Sequence, residues 1–114
     1  MRRVKLGLKG PVVSEICFGS LAISPLQGRV SLEEGRNVLE YAFASGIDWV
    51  DTAEIYDNYE QLRPVLDKYP EVKVVSKSYA VTATELRQSL EKARKGLNRD
   101  VIDIFMLHEQ ESHL

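Results

Sequence analysis

Asp51, Tyr56, Lys77 and His108 are the side chains of this sequence whose types fit one reaction, proton transfer to a carbonyl oxygen. A phenol ionises near pH ~10 and by itself is a poor acid or base at neutrality. An ammonium beside it favours the phenolate and can lower that value by about 1–3 units. A carboxylate can hold the ammonium in place through a charge-assisted hydrogen bond. An imidazole can orient the carbonyl oxygen or relay a proton to it, and general acid catalysis of this kind contributes roughly 10²–10⁴-fold. The hydride or nucleophile that attacks the carbon has to come from elsewhere. Taken singly, each residue has an ordinary reading: a solvated lysine, a structural histidine, an aspartate capping a turn, a packing tyrosine. Those readings do not explain why the residues should share one edge of a sheet.

The elements that would put them there are legible as alternating strands and helices. Residues 3 to 18 read as extended, with a turn at Lys9-Gly10-Pro11 and a first strand at Ile16-Cys17-Phe18, broken by Gly19-Ser20. Ser31-Leu32-Glu33-Glu34 is a capping box, and Val38, Leu39, Ala42 and Phe43 mark a helix face that Gly46 closes. A second strand runs Ile47 to Val50 and stops at Asp51. Asn58 to Lys68 is weakly helical, and Pro64 predicts a helix that is short or starts late. A third strand, Val72 to Ser76, stops at Lys77. Thr82-Ala83-Thr84-Glu85 is another capping box, followed by Leu86, Leu90, Ala93 and Leu97 at helical spacing. The last strand, Val101 to Leu107, stops at His108. Such alternation predicts a parallel sheet of βα units. The carboxyl ends of its strands share the edge where ligands bind. Neighbouring strands lie about 4.8 Å apart, so Asp51, Lys77 and His108 fall within roughly 10 Å of one another. Tyr56, on the loop after Asp51, can fold over the same edge.

The chain has 114 residues, 44% hydrophobic and 28% charged, which suits a single globular domain over 1–114. A net charge of -2 without charge blocks gives no nucleic-acid footprint. No apolar run approaches membrane-spanning length, and no apolar signal core follows Met1-Arg2-Arg3. The reading is a cytoplasmic protein, with Cys17 a free, buried, inert thiol.

DTAEIY at 51–56, VVSKS at 74–78 and DIFMLH at 103–108 resemble the signature segments of the aldo-keto reductases. The hairpin, FGS at 18–20 and the leucine-spaced helix before the fourth strand agree in order and spacing. The resemblance implies a parallel (β/α)8 barrel of the TIM type that uses NADPH to reduce small aldehydes or ketones. It also implies Tyr56 as proton donor, Lys77 and Asp51 as the groups that tune it, and His108 as the group that places the carbonyl. Gly19, Ser20 and Asp51 would form the near edge of the cofactor site. A full barrel needs roughly 250 residues. The chain therefore reads as the N-terminal half, a β-hairpin plus about four βα strands, without the segments that by resemblance grip the nicotinamide amide and the phosphates. It departs from the family pattern where Asp57-Asn58 follow the tyrosine in place of a common glycine, at Pro64, and at Glu109-Gln110 after His108.

Other readings stay open. Lys77 could form a Schiff base in an aldolase-like reaction. His108, Glu109, Glu111 and His113 have metal-ligand chemistry, although alternation along an extended tail would turn them to different faces. A non-catalytic half-barrel would leave sheet edges unpaired and so favour a homo-oligomer or a complementing subunit.

Overall fold

The computed structural model describes residues 1–110 of the chain. Strands β1 (Arg3–Lys5) and β2 (Val12–Ser14) pair antiparallel, and the Leu6 N–H donates to the Pro11 carbonyl across the turn. This hairpin is fastened beneath the main sheet. Ser14 N–H donates to Asp48 Oδ1 at 2.8 Å, Trp49 Nε1–H donates to Ser14 O at 3.0 Å, and Arg3 pairs with Asp48.

The main sheet is parallel and runs in chain order: β3 (Phe18–Gly19), β4 (Trp49–Asp51), β5 (Lys73–Ser78) and β6 (Ile104–Leu107). Helices α1 (Leu32–Ala44), α2 (Tyr59–Lys68) and α3 (Ala83–Leu97) alternate with these strands. Both capping boxes form. Ser31 Oγ accepts from Glu34 N–H at 3.1 Å, and Thr82 Oγ1 accepts from Glu85 N–H at 3.2 Å. Glu85 reaches back to the N–H of Val81, one residue further out than the usual partner. At the end of α1, Gly46 N–H donates to Phe43 O and Ile47 N–H to Ala42 O, with Gly46 at φ 106. That pattern is the Schellman closure a glycine permits.

The strand limits differ from those predicted, because side chains take some ladder positions. Trp49 Nε1–H occupies the Ile16 carbonyl, so pairing of the first strand starts at Phe18 and includes Gly19. Asp48 is engaged with Ser14, and β4 starts at Trp49, two residues later than predicted, and includes Asp51. The Asp103 carboxylate accepts the Val74 N–H, so β6 starts at Ile104. Strand β5 continues to Ser78 and carries Lys77 inside it.

Helix α2 is neither short nor late. Pro64 sits within it and leaves the Glu60 carbonyl without its intrahelical donor, and Arg36 of α1 supplies the replacement. Its Nη2 donates to Glu60 O and its Nε to Gln61 O, both at 3.0 Å.

Leu39 and Phe43 of α1, Leu62 and Leu66 of α2, Ala93 and Leu97 of α3, and Val50 and Val74 of the sheet form one core. Each buried leucine contributes about 1.5–3 kcal/mol. Val38 stays exposed because α1 packs through Gly35, Leu39, Ala42 and Phe43, and Leu86 is only half-buried beside an open notch with Leu107. Among the described residues no helix is long and apolar enough to cross a membrane.

Candidate active site

Alternation along β5 builds the site. Ser76 and Ser78 are buried toward the helices, where Ser76 Oγ lies 2.7 Å from the Tyr59 hydroxyl and Ser78 Oγ donates to Ser89 Oγ at 2.8 Å. Lys77, between them, must project from the opposite face of the sheet. Register places Asp51 beside Val75 on that same face, so Lys77 lies diagonally from Asp51. The ammonium closes the gap, donating to Asp51 Oδ1 and Oδ2 at 3.0 Å each and to the Thr52 carbonyl at 2.7 Å. All its N–H donors are thereby matched to acceptors. An ammonium so engaged has no lone pair free for Schiff-base formation, which weighs against the aldolase-like chemistry.

Tyr56 ends a single 3-10 turn, Glu54–Tyr56, after β4. Lys77 Nζ lies 5.3 Å from the centroid of its ring. Asp57 follows in the left-handed region at φ 53. This is the conformation a glycine adopts most cheaply and an aspartate tolerates, so the departure at this position keeps the turn. Asn58, buried, ties the turn to two strand ends. Its Oδ1 accepts from Thr52 Oγ1 at 2.7 Å, and its Nδ2 donates to Ser20 O and Ser20 Oγ at 3.3 and 3.1 Å.

His108 is 8% exposed, and its ring stands edge-on to Tyr56 with centroids 6.3 Å apart. Its backbone N–H donates to Ser78 O at 2.9 Å, which carries β5–β6 pairing up to the histidine. Tyr79 stacks on the imidazole with centroids 4.2 Å apart and planes 16° from parallel. Asp51, Tyr56, Lys77 and His108 thus gather at one end of the sheet. Gly19 is exposed and pairs with Asp51, with open space where a Cβ would stand, whereas Ser20 is fully buried against Asn58.

Cys17 is half-buried rather than buried. Desolvation and the Asp51 carboxylate push its thiol up to about 11, against smaller opposing effects of Lys77 and the Asp51 backbone, so it stays protonated at neutral pH. Among the described residues no group of His, Cys, Asp and Glu is placed to hold a metal ion. Glu111 and His113 lie outside the described residues. Sequence reasoning missed Asn58 and Tyr79. Along the chain Asn58 reads only as the start of a weak helix and as part of a departure from the family pattern, and no signal joins it to Ser20.

Comparison with known proteins gives the family and the fold. The model of the aldo/keto reductase family matches residues 15–113. The chain is 40% identical over 58 residues to "Probable aldo-keto reductase 1" of Glycine max, covering 46% of this chain and 16% of that one. A Pseudomonas aeruginosa crystal structure assigned to the aldo-keto reductases superposes with TM-score 0.83 and 25% identity, covering 96% of this chain and 48% of that chain. The Bacillus halodurans aldo-keto reductase AKR11C1 in its holo form gives TM-score 0.80 at 19% identity over 95% of this chain and 40% of that one. The Bombyx mori aldo-keto reductase in complex with NADP gives 0.79 at 20% over 94% and 38%. At these two identities the likeness is one of fold, half of a TIM-type barrel. The chain spans about half, or less, of the proteins it matches.

Proposed function

This chain belongs to the aldo/keto reductase family, and from that premise we propose that it carries the acid–base half of an NADPH-dependent reduction of small aldehydes or ketones to alcohols. The observation that carries the proposal is the Lys77 ammonium, fixed by both Asp51 oxygens and held 5.3 Å from the Tyr56 ring. Tyr56 gives its phenolic proton to the carbonyl oxygen as that oxygen gains negative charge. Lys77 stabilises the phenolate left behind, and Asp51 keeps Lys77 from wandering. His108, beside Tyr56, steadies the carbonyl oxygen.

The residues present fit one end of a cofactor site. Gly19 leaves its backbone open beside Asp51, and Ser20 underlies it. Gly19 and Asp51 would hold that end of NADPH, which when bound supplies the hydride for the carbonyl carbon. Ser20, fully buried with its hydroxyl and carbonyl bound by Asn58, would support them from beneath rather than touch the cofactor. The proposal places the protein in the cytoplasm.

Replacing Tyr56 by Phe keeps the ring and removes only the proton. Turnover of a small aldehyde, followed by NADPH absorbance, is expected to fall at least about 10²-fold. Retained turnover in a normally folded Tyr56→Phe protein assigns the proton to another donor and ends this reading.

A second reading is a non-catalytic half-barrel covered by a second copy or another subunit. Among the described residues β3 and β6 each pair on one side only, and Met106 and Leu107 are exposed. A monomer by light scattering at all concentrations tested would speak against association with itself.

A further inference from the structure

The continuation after His108 is the least expected part of the site. Glu109 adopts φ 46, a conformation that costs a non-glycine residue about 1–2 kcal/mol. With the backbone so turned, Glu109 Oε1 comes back to 3.7 Å from His108 Nε2. The same carboxylate lies beside the Tyr79 phenol, which desolvation and then Glu109 push above its ordinary ionisation range. Gln110 Nε2 donates to the His108 carbonyl at 3.2 Å. The groups facing the imidazole are therefore Tyr56 from the turn after β4, Tyr79 from the end of β5 and Glu109 from its own segment, with Lys77 behind Tyr56.

We propose that Tyr79 and Glu109 are positioning residues for His108: the stacked phenol fixes the imidazole plane, and the carboxylate draws the ring proton to Nε2. His108 Nδ1 is buried and has no hydrogen-bond partner among the described residues. A proton there would be a buried donor left unsatisfied, at a cost of about 1–3 kcal/mol. A proton on Nε2 instead faces the Glu109 carboxylate, which at 3.7 Å attracts it electrostatically without a direct hydrogen bond. The imidazole is then a ready donor before substrate arrives, and a carbonyl oxygen, itself an acceptor, can take the place of the exposed Glu109 carboxylate. This inference rests on the reading of His108 as the group that steadies the carbonyl.

Nuclear magnetic resonance of the 114-residue chain tests it without turnover. His108 ring signals are identified by their loss in His108→Gln, and the Tyr79 Cζ signal by its loss in Tyr79→Phe. The His108 ring protons are expected upfield in wild type, still upfield in Tyr79→Phe, and displaced to ordinary positions in Tyr79→Ala. The Tyr79 phenol is expected to ionise at lower pH in Glu109→Gln than in wild type, because the charge beside it is gone. In the reductase assay, Tyr79→Ala should lower kcat while Tyr79→Phe restores it, an effect that loss of stability alone would not rescue. Unchanged His108 signals in Tyr79→Ala, or the same Tyr79 titration in wild type and Glu109→Gln, overturns the proposal. Intact resonance signatures in a chain whose Tyr56→Phe variant retains turnover would sink the catalytic reading and leave this arrangement standing.

Discussion

Lys77 and Asp51 form a chelated ion pair across neighbouring strands, with the ammonium 3.0 Å from each carboxylate oxygen. The lysine side chain is 13% exposed and the aspartate 33%. Lys77→Met removes the cation and leaves Asp51 and the Thr52 carbonyl without their donor. Breaking a fully buried pair costs about 3–5 kcal/mol, and the exposure of Asp51 lowers the expectation to about 1–3 kcal/mol. Urea denaturation checks it. Turnover should fall by at least about 10²-fold alongside, since no cation remains to stabilise the phenolate.

Asn58 is the strut beneath Tyr56. Asn58→Ala leaves Thr52 Oγ1 and the Ser20 hydroxyl and carbonyl without the partners they have in the buried interior. We expect a loss of about 2–4 kcal/mol in urea denaturation, from desolvated polar groups left unpaired. Asp57→Gly, one residue earlier, should change stability by less than about 1 kcal/mol. Relief of the left-handed strain is offset there by the greater freedom of glycine in the unfolded chain. Equal losses for both variants would show that the turn, and not the Asn58 network, sets the cost.

Arg36 and Pro64 should be energetically coupled. With Pro64 present, Arg36→Met exposes the Glu60 carbonyl to an unmet bond, at about 1–2 kcal/mol. With Pro64→Ala, the new amide N–H meets that carbonyl, so the same Arg36→Met change should cost less. A double-mutant cycle by chemical denaturation is expected to give a coupling of at least about 0.5 kcal/mol. Strict additivity would mean that Arg36 acts through Gln61 alone.

Acid should loosen the hairpin first. Desolvation works to raise the Asp48 carboxyl, but the Ser14 N–H and the Arg3 guanidinium outweigh it and hold its ionisation below the usual range. A carboxylate whose folded value is depressed stabilises the fold above its unfolded value, about 3.9. That contribution fades as pH falls from there through the lower folded value. Asp48→Asn should therefore be less stable than wild type near neutrality, with the two converging as pH drops below about 4. A difference that persists undiminished well below that pH would assign the effect to packing.

Capping chemistry is local, and that is why the starts of α1 and α3 could be read directly: Ser31 and Thr82 meet amide groups in their own first turns. Helix α2 shows the limit. Pro64 weakens it locally, and its repair comes from Arg36, far away in sequence. Strand limits slipped for the same reason, since Asp48, Trp49 and Asp103 hold their partners through side chains that no periodicity displays.

Sequence by itself determined that Asp51 and Lys77 reach one edge of the sheet, because each follows an apolar strand and parallel strands share a direction, whereas the face they share came from the register, Asp51 beside Val75. It also determined that Tyr56 and His108 arrive at the same end, through the direction common to all βα units. Tertiary structure alone decided what surrounds them. Tyr79 against His108, Asn58 against Ser20 and the returning Glu109 depend on backbone turns and side-chain rotamers. Those are settled only when separate segments are packed together, since the energies that select them come from contacts between residues distant along the chain or from a single left-handed turn.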